Sequence, residues 1–327
     1  SHLRLSGYMK TKKIAIIDSG YKNYNYEHEL FHKYGYELIL YNGDPADRLE
    51  KARFVSDACG MLVRGTLIDK DFLNLTSNLI AIVRYGVGYE NIDIHEATRR
   101  NIKVAIVQNY ANHAVSDHAI ALIYSCARSL ASGSDHIREI FSTPPVEEVF
   151  ELHDKTVGII GLGRIGSCFA SKVRHLFKEV IAYDPYIEDN RFIEAGALKT
   201  DLHTLLRRSH VISLHCNLTE ETTGIIDEKA FNQMRNKPVL INTSRGNVVS
   251  EAALLNALNN NLIHSAGIDV FSDEPPTEKQ EPLFNHPRTI VTGHYAWYSE
   301  YSVNELQHRA ADNLIRLLSG EKIDDLI

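Results

Sequence analysis

Cysteine is scarce in this chain of 327 residues: Cys59, Cys126, Cys168 and Cys216 stand far apart and form no CxxC pair. That argues against a disulfide-knit secreted scaffold and for a reduced, cytoplasmic protein in which each cysteine is a small buried hydrophobe. No apolar run approaches the ~18 residues needed to span a bilayer. Positive charge is not in excess either: 35 Lys and Arg face 42 Asp and Glu, a net charge of −7 with no basic stretch. Neither nucleic acid nor an anionic membrane is therefore expected as a partner. Internal repeats, coiled-coil heptads and linker-like tracts are lacking. Residues 1–8, ahead of Met9, carry one Arg and no apolar centre, so they read as an appended or frayed arm rather than a signal peptide.

The length exceeds what one core usually supports, so two domains are expected. From Lys13 onward, short β-branched runs alternate with longer helical stretches: Ile14 to Ile17, Leu38 to Tyr41, Met61 to Val63, Ile80 to Val83 and Val104 to Val107. Such alternation predicts a parallel sheet covered by helices. A second series starts at Thr156 and continues at Val180, Val211, Val239, Ala266 and Thr289, enough for a six-stranded Rossmann sheet. The segment Ser116 to Leu130 is apolar nearly all round and predicts a helix buried between domains or subunits. Val303 to Leu318 lies beyond the last strand with no sheet of its own, so it is expected to pack back on the first domain. The α/β fold thus predicted has a discontinuous, flavodoxin-like domain, residues 9–112 and 295–327, with a nucleotide-binding Rossmann domain, 113–294, inserted. Pro144-Pro145 and weak periodicity make Ser142 to His153 a loop.

The sharpest motif is Gly161-Leu162-Gly163-Arg164-Ile165-Gly166, entered from the apolar run Thr156 to Ile160 and left by a helical segment, Ile165 to Phe177. In that setting the first glycine allows the tight turn, the second lets backbone N–H groups approach a pyrophosphate, and the third permits close helix–strand packing. A second strand ends at Asp184, roughly 20 residues on, where a carboxylate accepts ribose hydroxyls and repels a 2′-phosphate. NAD is expected in preference to NADP.

Polar residues follow the later strands at the edge where open α/β sheets bind ligands. Arg245 stands in the turn Thr243-Ser244-Arg245-Gly246, Asp269 ends the next strand, Glu274 follows in Ser272-Asp273-Glu274-Pro275, and His294 follows the last strand. A guanidinium can hold a carboxylate and polarise the carbonyl beside it. An imidazolium can donate a proton to a developing oxyanion, and a neighbouring carboxylate orients it. Those are the roles that hydride transfer to a 2-oxo acid needs. His113 and His118 are five apart, which does not put two ligands on one helical face; both read as structural, and no metal is expected.

After Met9 the chain resembles the D-isomer-specific 2-hydroxyacid dehydrogenases over essentially its whole length. The resemblance rests on Tyr85-Gly86-Val87-Gly88, the glycine motif, Leu214 to Thr219, Ile241 to Gly246, Asp269-Val270-Phe271, Glu274-Pro275 and His294. It implies Arg245, Glu274 and His294 as catalytic residues and the backbone at Val87 and Gly88 as holder of the substrate carboxylate. It further implies cofactor contacts at Gly161, Gly163, Arg164, Ile165, Gly166, Asp184, Cys216, Asn217, Thr222, Thr243 and Asp269, the last on the nicotinamide side. A homodimer through the nucleotide domain follows from the same likeness.

Within the family, Ala296 to Glu300 and Arg84 are similar to the C-terminal-binding proteins, transcriptional co-repressors in which the matching Arg and Trp line the substrate pocket; this implies Arg84 and Trp297 as substrate contacts. Two departures stand out: Asn217, where the family commonly has proline beside the adenine pocket, and Gly293, where proline commonly precedes the histidine. The second predicts a looser histidine loop. The expected function is an NAD-dependent 2-oxo acid reductase of D specificity. The alternatives are a phosphoglycerate or glyoxylate/hydroxypyruvate reductase type, for which Arg64 could meet an acidic substrate, and an NAD(H)-sensing interaction protein. The short stretch after His294 argues against a regulatory domain. Formate dehydrogenases are similar but carry glutamine in place of Glu274.

Overall fold

The computed structural model describes residues 12–142 and 148–327. The centre of the loop expected at Pro144-Pro145 lies outside the described residues. The chain divides into two compact units: one runs up to Tyr110 and resumes over Glu300–Ile327, and the other is Ala111–Ser299.

The first unit is built on five parallel strands, β1 (Lys13–Ile16), β2 (Glu37–Leu40), β3 (Gly60–Val63), β4 (Ala81–Arg84) and β5 (Lys103–Ala105), in the order β2-β1-β3-β4-β5. That is the flavodoxin-like order. β3 is buried throughout, as the unbroken apolar run of a strand covered on both faces requires. Three of the covering helices begin at an aspartate whose side chain accepts a backbone N–H of the first turn: Asp47 from Glu50, Asp69 from Phe72 and Asp93 from Glu96. Each cap satisfies a donor that the helix cannot. The C-terminal helix Glu300–Leu318 lays Leu306, Ala310, Leu314 and Leu317 against Ile14, Leu62 and Val83, so the last segment of the chain packs on the first sheet.

The second unit holds β6 (Thr156–Ile160), β7 (Glu179–Tyr183), β8 (Leu198–Lys199), β9 (Val211–Leu214), β10 (Val239–Asn242), β11 (Ser265–Ile268) and β12 (Thr289–Val291). They are parallel and ordered β12-β11-β10-β9-β6-β7-β8. Six strands were expected; the seventh is β8, a two-residue exposed edge strand too short to carry any periodicity. Strand order reverses between β6 and β9, the switch point at which such sheets bind ligands.

Helix Asn112–Ala127 belongs to this unit and ends before Leu130, which begins a second helix, Leu130–Ile140. Ala119, Leu122, Ile123 and Cys126 enter the core with Val239 and Ile241, while Asp117 and Ala121 face outward. Beneath the glycine motif, helix Arg164–Val173 anchors through Phe169, which is fully buried. Truncating such a side chain costs about 3–5 kcal/mol.

Candidate active site

The switch point is assembled by two backbone ties: His215 N–H donates to Ile160 O at 2.8 Å, and Gly161 N–H to Tyr183 O at 3.0 Å. Glycine is required where the turn passes β9. Gly161 has φ +91°, and a Cβ there would lie 2.6 Å from Cys216 N; a Cβ on Gly166 would lie 2.0 Å from Gly161 O. Gly163, by contrast, faces open space at the N-terminus of helix Arg164–Val173, and backbone N–H groups at a helix N-terminus can bind an anion. Asp184 closes the other side, its Oδ2 accepting from Leu162 N at 2.8 Å and its Oδ1 from Tyr186 N at 3.0 Å. Each carboxylate oxygen retains a lone pair for a ribose hydroxyl.

Thr243 Oγ1 is buried with no hydrogen-bond partner. A buried hydroxyl so left costs roughly 1–3 kcal/mol, a cost that a polar ligand group bonded to it relieves. Thr222 is spent inside its own turn, donating to Asn217 O at 2.6 Å and accepting from Thr219 N at 2.7 Å. Asn217 is exposed beside it. Burial pushes the Cys216 thiol up to about 11, so it is a neutral wall rather than a nucleophile.

Arg245 is exposed on the turn after β10. Asn242 shapes that turn: its Oδ1 accepts from Ser244 N at 3.1 Å and its Nδ2 donates to Arg245 O at 3.0 Å. Asn242 had drawn no role from the sequence, although an asparagine ending a buried strand beside a turn is a usable signal. Gly246 lets this turn touch the next one, since a Cβ there would meet Phe271 C at 2.0 Å.

The two residues expected as an acid/base pair come together across 20 residues: His294 Nδ1 is hydrogen-bonded to Glu274 Oε2, and Glu274 Oε1 also accepts from Phe271 N at 3.3 Å. His294 N–H donates to Asp269 O at 2.8 Å, and Trp297 Nε1 donates to His294 O at 2.9 Å. The Asp269 side chain has no exposed surface, and its oxygens accept from Thr292 Oγ1 at 2.7 Å and from Tyr295 N and Ala296 N at 3.0 Å each. Both oxygens are therefore engaged by the protein's own loop. These ties carry Tyr295 to Ser299 into the second unit, so Trp297 shares a loop with His294. On the other side of Gly293, Thr292 N–H donates to Ile268 O at 2.9 Å.

In the first unit, Arg84 Nε donates to Arg64 O at 2.9 Å and to Asn91 Oδ1 at 3.1 Å, and burial holds its guanidinium below the usual arginine range. Arg64 Nη1 donates to Ser19 O at 3.1 Å, and its guanidinium lies 4.9 Å from the Tyr21 ring centroid. Val87 is 43% exposed, and Gly86, at φ +134°, turns the chain there while its carbonyl accepts from Val107 N at 3.0 Å. Two guanidiniums and a bent glycine loop thus follow neighbouring strands β3 and β4.

Residues 120–296 match the family model "D-isomer specific 2-hydroxyacid dehydrogenase, NAD binding domain". A D-3-phosphoglycerate dehydrogenase of Mycobacterium bovis is 34% identical over 89% of this chain and 54% of its own length, so the chain spans about half of that relative. A glyoxylate reductase of Thermococcus litoralis is 36% identical over 89% of this chain and 90% of its own. Among solved structures, the apo form of Escherichia coli D-lactate dehydrogenase superposes with TM-score 0.82 at 27% identity, covering 97% of this chain and 99% of that one.

Proposed function

This chain belongs to the D-isomer-specific 2-hydroxyacid dehydrogenase family, and on that premise we propose that it is an NAD-dependent oxidoreductase interconverting a 2-oxo acid and the D-2-hydroxy acid. The observation that carries the reading is the His294 Nδ1 to Glu274 hydrogen bond at the ligand-binding edge of the nucleotide-binding sheet.

Bound NADH supplies the hydride for the substrate C2. The glycine turn, Asp184 and Thr243 hold and orient it, with Asp269 fixing the adjoining loop. Arg245 grips the substrate carboxylate and polarises the carbonyl, which stabilises the charge that develops on its oxygen. With Nδ1 tied to Glu274, His294 Nε2 delivers the proton to that oxygen, and in oxidation takes it back. The family resemblance adds Arg84 and the backbone of Val87 and Gly88 as substrate contacts, and Trp297 as an apolar wall for the side chain. Residues up to Tyr110 and from Glu300 then form the substrate-binding domain.

Coupled NADH consumption with a panel of 2-oxo acids tests this. Turnover that disappears in His294→Ala supports it, and no turnover with any 2-oxo acid overturns it. A second reading, an acidic substrate of the phosphoglycerate or hydroxypyruvate kind, is favoured by two arginines at the ends of neighbouring strands, Arg64 directly after β3 and Arg84 closing β4; the same panel separates the two.

The assembly proposed is a homodimer through the nucleotide-binding unit. Helix Leu130–Ile140 buries none of its residues, and Leu130, Ile137 and Ile140 are 57%, 55% and 60% exposed. A helix that exposes such a face wants a partner. Four unpaired cysteines fit a cytoplasmic setting, and among the described residues no helix is long and apolar enough to cross a membrane.

A further inference from the structure

His118, on helix Asn112–Ala127, stands next to the acid/base loop although nothing in its spacing along the chain pointed there. Its Nε2 lies 2.9 Å from Thr292 Oγ1, and that hydroxyl hydrogen-bonds Asp269 Oδ1 at 2.7 Å. Because an ionised carboxylate can only accept, the Thr292 proton is committed to Asp269; Oγ1 then accepts from His118, whose Nε2 carries a hydrogen. The same ring meets Tyr295 edge-on, 5.2 Å between centroids. His118 is also the one basic side chain paired with the Asp269 carboxylate among the described residues, Nε2 to Oδ1 3.8 Å.

What Asp269 holds gives this contact its consequence. Its carboxylate fixes the N–H groups of Tyr295 and Ala296, and its carbonyl fixes that of His294. His294 has φ +56°, a left-handed backbone that a non-glycine residue keeps only where surrounding contacts over-determine it. A carboxylate buried without its hydrogen-bond donors would lose its orientation, and the loop its clamp.

We propose that His118 is a positioning residue for the acid/base loop: through Thr292 it orients the Asp269 carboxylate that holds the backbone of residues 294–296. The proposal rests on His294 being the acid/base group. It is tested with His118→Leu, His118→Gln, Thr292→Val and the double variant His118→Leu/Thr292→Val. Two readouts are needed. The first is kcat and the KM for NADH in 2-oxo acid reduction. The second is the 19F spectrum of protein labelled with 5-fluorotryptophan, which reports only Trp297, the single tryptophan, hydrogen-bonded to His294 O.

His118→Leu lowers kcat about tenfold, the upper size of one hydrogen bond, leaves the KM for NADH unchanged and displaces or broadens the 19F line. His118→Gln, which keeps an N–H donor at similar reach, recovers both, and the double variant is no worse than either single one. A wild-type kcat and 19F line in His118→Leu overturns the proposal. So does a Gln variant as impaired as Leu, or losses that multiply in the double variant. Should His118→Leu fail to fold, Thr292→Ser against Thr292→Val decides the same question. If the wild-type protein turns over no 2-oxo acid, the functional reading fails, while the 19F arm still decides the clamp.

Discussion

Glu274 bonds the Nδ1 of His294. Nδ1 is thereby committed, which leaves Nε2 for the proton exchange of the proposed function. An orienting carboxylate does more than attract charge: it selects a tautomer and a ring angle. Glu274→Gln is therefore expected to lower kcat by about 10²-fold or more, within the range that general acid–base catalysis contributes, while NADH affinity measured by fluorescence titration stays as in the wild type. Near-normal kcat in this variant would mean that the pair is an ordinary surface contact.

Arg245→Lys keeps the charge and loses the fork. An ammonium cannot bind carboxylate and carbonyl in the same two-pronged way, so turnover is expected to fall on the order of 10²–10³-fold, the loss typical of one strong transition-state contact. Steady-state kinetics on the best 2-oxo acid checks this, and a lysine variant with near-full kcat removes Arg245 from the site.

Asp184 is held against the glycine turn through Leu162 N–H at 2.8 Å, and the proposed function has its carboxylate accept the adenosine ribose hydroxyls. Asp184→Ala is expected to weaken NADH use and to narrow the preference over NADPH, since the repulsion of a 2′-phosphate goes with the acceptor. The ratio of kcat/KM for the two cofactors is the measurement; an unaltered ratio counts against the assignment.

His215 predicts an acid limit to stability. Burial pushes its imidazole down to about 3 from 6.5, with the ring packed on Phe169 and Nε2 2.8 Å from Ser213 Oγ. Between those two values the unfolded chain binds a proton that the folded chain refuses, so stability rises with pH through the window. His215 is thus neutral to stability above 6.5 and progressively destabilising as pH falls below it. Melting temperatures followed from neutral pH to roughly pH 4 should drop more steeply in wild type than in His215→Gln, which cannot titrate. Parallel curves would contradict the burial of this ring.

Trp297 sets the expectation for substrate. A medium-sized apolar or thioether 2-oxo acid should outperform glyoxylate and pyruvate, because each buried methylene contributes about 0.8 kcal/mol and two or three give roughly tenfold or more in kcat/KM. Trp297→Ala should erase that gain for long side chains and spare the short ones. A variant that loses activity equally on all lengths, or a wild type fastest on glyoxylate, refutes the apolar wall.

The glycine turn, the aspartate after it, the strand-helix alternation and the residues that close each strand are legible in the chain because each depends on neighbours within a turn or a strand. Gly161 needs its left-handed φ and Asp184 follows the next strand whatever lies elsewhere. What the chain could not reveal by itself is which of these separated groups touch. The seventh strand is two residues long and carries no period, and the segment Ser116 to Leu130, read as one apolar helix, spans the end of helix Asn112–Ala127 and the start of helix Leu130–Ile140. His118 had no signal along the chain because its partner, Thr292, is 174 residues away. Only the order of the parallel strands sets that helix beside β12 and turns the buried Asp269 carboxylate onto the loop of His294. Local periodicity is encoded by adjacent side chains, whereas long-range hydrogen bonds exist only once strand order has chosen which ends of the sheet are neighbours.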